Sequence, residues 1–301
     1  MLLKVGGWRM FDNFKILTQY SFIVVALGTS LLAISTAMIG SVNILKGQSL
    51  IGDAVGHSSF LGVVLAFLLF TQKHPVILMC GAIVAGVAAF SMISTVANNS
   101  KVEADTAMAI ILSAFFGLGM VFKSYMQGNS KFSKASQSGL ANYIFGQAAY
   151  MLREDVVIIF AVSIIAISLF VIFYKEIKIH VFDSAYAKTI GINEGLMSGL
   201  IMFMTMVLIA AGLKAVGTIL ISSMLITPAV VGMQWSDGYD RVLLISAIVG
   251  AFSALSGTIL SSLIEGFSTG PSIVLVMSVI AVLSVLLSPK GLISTYFKKR
   301  R

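Results

Sequence analysis

The chain has 301 residues, of which 58% are apolar and 11% charged, and its mean hydropathy is +1.00. A soluble globule carries roughly 25% charged residues, so the composition excludes a water-soluble enzyme and specifies an integral membrane protein with at most about ten helical crossings. The net charge of +8 does not signal nucleic acid: Lys290, Lys298, Lys299, Arg300 and Arg301 follow the last apolar run, as at a cytoplasmic terminus, and no aromatic-basic interleaving marks a nucleic-acid face.

Residues 1–16 set Trp8, Met10, Phe11 and Phe14 among Lys4, Arg9 and Lys15 and read as an interfacial amphipathic segment. Apolar runs follow at 17–43, 50–71, 75–97, 106–126, 154–174, 195–213, 215–235, 242–264 and 271–288. They predict an all-α polytopic membrane domain over 17–288 with nine spans, or eight if one run is re-entrant, closed by a basic tail at 289–301. The first run is too long for a cleaved signal and is followed by further spans. Glycine-rich continuous runs fit packed helices better than a barrel, whose strands alternate over about ten residues. The single cysteine, Cys80, excludes an internal disulfide and a multi-cysteine metal cluster. With the C-terminus inside, nine spans place 44–49, 98–104, 175–194 and 236–241 in the cytoplasm and the N-terminus outside.

Two connections are too long to be turns. Residues 127–153 begin polar and end in a small apolar stretch around Tyr143 to Tyr150, which predicts a short helix tucked into the outer half of the bundle. In 175–194, Asp183 reads as an N-cap and Gly191 as a C-cap of a short helix. Such a helix is a docking surface for another protein or a plain ordered connection.

The chain has no Gly-x-x-x-x-Gly-Lys-Ser/Thr phosphate loop and no His-Glu-x-x-His pair. Any ATP must be hydrolysed by a partner. The densest chemical signal opens the second span, Gly52-Asp53-Ala54-Val55-Gly56-His57. Asp53 and His57 are four apart and share a helix face, and a carboxylate oxygen with an imidazole nitrogen suits manganese, iron or zinc. A carboxylate within a span costs about 2.5 to 3.5 kcal/mol on insertion scales and usually faces a bundle interior or a wet path. The other reading is that Asp53 caps the span and His57 is a hydrogen-bonded interior residue. Gly52 and Gly56 form a small-x-x-x-small pair that admits a neighbouring helix.

Pro228, in the run from Ala215 to Ala229, removes a backbone donor and predicts a broken helix lining a cavity, where Met224 narrows a pathway or simply packs. Asp105 reads as the cap of the fourth span. His74 and His180 have no acidic neighbour at ligand spacing and are expected at the surface.

Taken together, Gly52-Asp53-Ala54 with His57 and Gly62, Asp105-Thr106-Ala107, Phe145-Gly146-Gln147, Phe182-Asp183 through Gly191-Ile192, Val216-Gly217-Thr218 through Thr227-Pro228-Ala229, and Gly270-Pro271-Ser272 resemble the membrane permeases of the metal-ion ABC importers that take up manganese, zinc or iron. The resemblance covers nearly the whole chain. It implies a fold like that of the vitamin B12 importer permeases, with inverted halves around the fifth span, and an ion path lined by Asp53 and His57. It further implies that 182–192, with Phe182, Asp183, Ala185, Gly191 and Ile192, is the coupling helix seated on a cytoplasmic ATPase. The chain itself is then no enzyme and binds no cofactor. Its expected partners are that ATPase, an extracytoplasmic metal-binding protein and a second permease chain, identical or different, in a bacterial inner membrane.

The manganese-type members are the most similar. Zinc-type members often place a histidine eight residues after the matching aspartate, where this chain has Ser113, and the segment from Ser138 to Ala149 looks manganese-like. Leu61, where many manganese-type members carry proline, keeps zinc or iron open. Rival expectations are an ATP-independent secondary transporter or channel, a membrane metalloenzyme built on Asp53 and His57, and an importer of metal chelates.

Overall fold

The computed structural model describes residues 19–72, 74–127, 129, 132, 142–146, 148, 151–264 and 266–294. The amphipathic segment 1–16, most of the 127–153 connection and residues 295–301 of the basic tail lie outside them.

Among the described residues the chain is all helical, as the apolar runs predict. In chain order the helices are α1 Tyr20–Leu45, α2 Ile51–Phe70, α3 Pro75–Asn99, α4 Ala104–Gln127, α5 Asn142–Phe145, α6 Arg153–Ile172, α7 Tyr174–Phe182, α8 Ser184–Thr189, α9 Glu194–Trp235, α10 Tyr239–Leu263 and α11 Thr269–Leu287. The long helices are apolar on every side, the pattern of a membrane span rather than of an amphipathic surface helix. Their boundaries follow local chemistry. Pro75 opens α3, where its missing N–H costs nothing, and the Asn193 side chain accepts the Leu196 N–H at the start of α9.

Among the described residues eight helices are long and apolar enough to cross a membrane, and α9 accounts for two of the nine predicted runs. A straight helix of its 42 residues would be about 63 Å long, twice the roughly 30 Å of a bilayer core. It is not straight. Gly217 has φ 79 and ψ 169, a backbone region essentially closed to residues with a Cβ. Beyond it the chain returns, so that a Cβ placed on Gly212 would meet the Ile221 side chain, although nine helical residues would separate the two by about 13 Å.

The ends of α9 confirm the reversal. Ser198, near its start, bonds His180 of α7, while Lys178 of the same short helix pairs with Asp240, just past its end. Both ends therefore lie together, and 194–216 and 218–235 are two antiparallel passes. Among the described residues the bundle has nine passes, and the connections 44–49, 175–194 and 236–241 gather at one end, where Lys290 also bonds the Met233 and Ser236 carbonyls. The break expected at Pro228 stands instead at Gly217. Pro228 is buried in a stretch of helical backbone, because the glycine eleven residues earlier already supplies the turn.

Around this hairpin, α1 packs against α9 and α10, and α2 against α3 and α4. Small residues set the spacing: Gly40 of α1 lies on the Leu225 carbonyl, and Gly62 and Gly81 bring the α2 and α3 backbones into contact. The tip of the hairpin is braced at the opposite end from the gathered connections. Thr218 Oγ1 donates to the Ile144 carbonyl of α5 at 3.1 Å, and Lys214 Nζ donates to Asp155 Oδ1 of α6 at 2.6 Å. The short helix predicted in 127–153 thus exists as one turn, α5, seated on the reversal.

Gly217→Ala should cost on the order of 1–3 kcal/mol in backbone strain and lower the melting temperature of the detergent-solubilised protein. Gly199→Ala, whose methyl would meet nothing within 4 Å, should leave it unchanged. Asp155 is 7% exposed and Lys214 35%, so Asp155→Asn should cost somewhat less than the about 3–5 kcal/mol typical of a broken buried pair. Adding Lys214→Met to that variant should recover part of the loss in a denaturation double-mutant cycle.

Candidate functional site

Asp53 lies in the first turn of α2 and His57 one turn on, with His57 Nε2 3.3 Å from Asp53 Oδ1. The capping reading of Asp53 does not hold: Leu50 is the N-cap residue and no side chain caps the helix. The carboxylate turns to the imidazole instead, and its place in the first turn suits the helix dipole. The Asp53 side chain is 42% exposed and that of His57 20%, so both are open to a visiting ion.

Neighbouring helices shape the pair. Phe116 of α4 stands edge-on to the His57 ring at 5.2 Å and also contacts Phe60. The second half of α9 approaches through the glycine pair: Leu225 lies against Gly52, and Ser222 Oγ is 3.6 Å from where a Gly56 Cβ would stand. That approach sets the Ser222 hydroxyl, which donates to the Thr218 carbonyl at 2.9 Å, beside the turn of α2 that carries Asp53 and His57. Among the described residues no group of three or more His, Cys, Asp or Glu side chains could hold a metal. One chain therefore offers one carboxylate, one imidazole and a hydroxyl, and a bound cation needs water or a second chain to complete its shell.

The remaining sequence-selected residues are not gathered here. Met224 is fully buried among core side chains, and Pro228 is buried in the same half of α9. Ser113 and Asp105 are exposed on α4, and His74 is exposed just before α3.

A second constellation sits at the end where the connections gather. The Asp183 carboxylate accepts the Tyr186 N–H at 2.8 Å and caps α8. At its other end Gly191, at φ 87, lets its own N–H reach the Lys188 carbonyl and that of Ile192 the Ala187 carbonyl, a closed Schellman cap. Both predicted caps are present. Ala187 is buried as the anchor, while Ala185 is exposed and Phe182, Tyr186 and Ile190 are 59%, 54% and 47% exposed. Apolar side chains in the open outside the spans mark an interaction surface.

Behind α8, the connection holds a second helix, α7. Tyr174, Ile177 and His180 follow helical spacing, and Ile177 and His180 are buried at 0% and 2% exposure. His180 is thus not the surface residue its sequence neighbours suggest. Its Nε2 is 3.2 Å from Ser198 Oγ, which also accepts from Lys46 Nζ at 2.7 Å. Burial first, and Lys46 second, hold the His180 pKa below its ordinary value against the pull of Glu194. Lys46 is itself lowered by burial, with Glu194 opposing. On the other flank Lys178 lies over the Tyr174 and Tyr239 rings and Phe182 packs edge-on to Tyr239. At the far end of the bundle, burial and the Asp155 carboxylate push the Tyr143 hydroxyl up to about 12. Sequence reasoning missed His180, Ser198, Lys46, Asp155 and Lys214 because their partners are remote in the chain. Only the helical spacing through Tyr174, Ile177 and His180 could have flagged α7.

Residues 19–288 match the model of the ABC 3 transport family. The chain is 37% identical over 263 residues to the manganese transport system membrane protein MntC of Bacillus subtilis (strain 168), covering 87% of this chain and 60% of that protein. It is 34% identical over 288 residues to the zinc transport system membrane protein TroC of Treponema pallidum (strain Nichols), covering 95% of this chain and 96% of that one. Among solved structures, PsaBC from Streptococcus pneumoniae in complex with Fab superposes with a TM-score of 0.82 at 28% identity, over 97% of this chain and 100% of the other. The chain spans a little under two thirds of the Bacillus protein's length and nearly all of the Treponema protein's. A nine-pass helical bundle, a half-open Asp53–His57 pair in one span and a capped helix with exposed apolar side chains outside the spans meet in one chain, a multi-pass membrane protein that belongs to the ABC 3 transport family.

Proposed function

We propose that this chain is the membrane permease subunit of an ATP-driven importer of divalent metal ions in a bacterial cell membrane, and that manganese is the ion carried. The observation that carries the reading is the Asp53–His57 pair, two ligand types for a divalent cation on one helix face, within a span and partly open. Relatives named for manganese and zinc transport support it. The gathered end is cytoplasmic, as its Lys290 and the basic tail beyond suggest.

The ion, handed over by an extracytoplasmic binding protein, meets Asp53 and His57 from one side of the bundle. A second permease chain, identical or different, brings further donors or closes the path. The chain has no phosphate loop, so a cytoplasmic ATPase pair hydrolyses ATP. It engages α8 through Phe182, Tyr186 and Ile190, and its closure moves α2 so that the pair faces first outward and then inward. Exposed Ser113, without a nitrogen ligand to offer, favours manganese over zinc, although a plain oxygen and nitrogen site binds zinc more tightly. Selection then falls to geometry and to the binding protein. The zinc reading has its own support in the relative named for zinc transport, which the chain covers almost completely.

In proteoliposomes holding the permease, its ATPase and the binding protein, Asp53→Asn should insert and assemble normally while manganese uptake is abolished, a larger loss than the about 10- to 100-fold that follows removal of a group that only supports a ligand. Accumulation by that variant at the wild-type rate sinks the assignment. In the same vesicles manganese should outcompete zinc and iron, and uptake should stop with a catalytically dead ATPase. Zinc winning the competition would move the cargo to zinc, and uptake surviving the dead ATPase would favour a secondary transporter.

A further inference from the structure

At the end of the bundle that carries α8, side chains from three separate segments meet on one hydroxyl. Lys46, directly after α1, donates from Nζ to Ser198 Oγ of α9 at 2.7 Å. The same oxygen stands 3.2 Å from His180 Nε2 of α7. The hydroxyl has one proton and two lone pairs, so while it accepts from the ammonium it can also bond Nε2 in either direction, according to which ring nitrogen carries the proton. His180 Nδ1 is buried with no hydrogen-bond partner, and an orphaned buried polar atom, donor or acceptor, costs the state that contains it. A small shift of α7 that gave this atom a partner would recover the cost.

The position of the trio says what such a shift would move. Lys46 opens the short connection that ends at Leu50, after which α2 carries Asp53 in its first turn. α8 reaches the same place a second way, since Lys188 pairs with Glu194 at the start of α9, four residues before Ser198. Deeper in the bundle Asn43 Nδ2 donates to Thr205 Oγ1 at 2.9 Å and ties α1 to the same half of α9. The other side of α7 is held to α10 through Lys178 and Asp240, but α10 makes no substantial packing against α2. The polar route from the α7–α8 arm to the ion pair therefore runs through Ser198 and Lys46.

We propose that His180, Ser198 and Lys46 are positioning residues that transmit the movement of the α7–α8 arm to α2, and so tie ATP turnover to the exposure of Asp53 and His57. This rests on the reading of α8 as the ATPase-docking helix. The trio touches neither the ion nor the ATPase. Its loss uncouples the two rather than abolishing either.

The test measures manganese uptake and ATP hydrolysis in the same proteoliposomes, with the binding protein present. His180→Leu and the milder Ser198→Ala should assemble with the ATPase, keep the KM for manganese within about twofold and continue to hydrolyse ATP. The ions moved per ATP should fall about tenfold, the equivalent of one hydrogen bond. His180→Gln, whose amide can reach Ser198, should restore most of the ratio. A wild-type ratio in both His180→Leu and Ser198→Ala overturns the proposal. So does failure of both to assemble, which marks a purely structural role, and so does His180→Gln behaving no better than His180→Leu. If the wild-type protein shows no ATP-dependent uptake, the permease reading fails first and this inference with it. If Asp53→Asn abolishes uptake while the trio variants stay fully coupled, only this inference falls.

Discussion

The reversal at Gly217 is the constraint from which the rest of the architecture follows. A chain this apolar has little choice but to form helices, because backbone groups in a bilayer must be satisfied within the segment. What it can choose is where a helix turns back. With φ 79 and ψ 169 at one residue, α9 reverses without a loop. The tip is braced from outside, where the Thr218 hydroxyl donates to the Ile144 carbonyl of α5. The return sets 218–235 beside α1 and α2, placing Leu225 on Gly40 and Gly52 and Ser222 beside Gly56. It also returns the far end of α9 to the level of its start, which bonds His180 through Ser198, so that Lys290 can hold the Met233 and Ser236 carbonyls there. Without the reversal, neither the Leu225 and Ser222 side of the Asp53–His57 pair nor the Lys178–Asp240 contact of α7 could exist.

The bundle handles its buried charges in two different ways. Asp155 is nearly inaccessible, and it is neutralised by Lys214 while its second oxygen accepts the Leu152 N–H at the start of α6. Every strong acceptor there has a partner within the chain, as the low dielectric demands. Asp53 is different. Its nearest partner is an imidazole at 3.3 Å, too long for a strong charge-assisted bond, and the side chain is 42% exposed. One carboxylate is closed off as a brace, and the other is left with coordination to spare at a depth where insertion is costly. Position in a helix does not separate them, since both sit in a first turn. What separates them is whether a lysine is delivered from another helix.

Periodicity and composition are local properties, and they made the local features legible. The nine runs, the caps at Asp183 and Gly191, the shared face of Asp53 and His57, and the close helix approach at Gly52 and Gly56 could all be read from residues a few positions apart. The site beyond those residues depends on pairs that are distant in sequence: His180 with Ser198, Lys46 with Ser198, Asp155 with Lys214. No spacing rule marks such pairs. The misplacement of the break has a physical cause as well. Proline forbids a hydrogen bond and so draws attention, but a helix tolerates it when packing holds the backbone, as at buried Pro228. Glycine forbids nothing and only permits. Its role at 217 becomes visible once the conformation it alone can adopt is seen.

The two-ligand character of the ion pair bears on how an importer could choose its cargo. A site with one carboxylate, one imidazole and a hydroxyl has intrinsic affinities that rise toward copper and exceed those for manganese with zinc, so a rigid, complete site built from these groups would favour the wrong ion for a manganese carrier. An incomplete site behaves otherwise. When a large part of the coordination shell is water or comes from a second chain, the number and geometry of ligands are set by the space around the pair, here bounded by Phe116, Phe60 and the Ser222 face of α9. A higher coordination number in an oxygen-rich shell suits manganese, whereas zinc prefers four close ligands with nitrogen or sulfur among them. Weak holding also serves transport, because an ion bound tightly enough to be selected by affinity alone would leave slowly. A half-open pair is therefore better suited to passing an ion already chosen upstream than to choosing it.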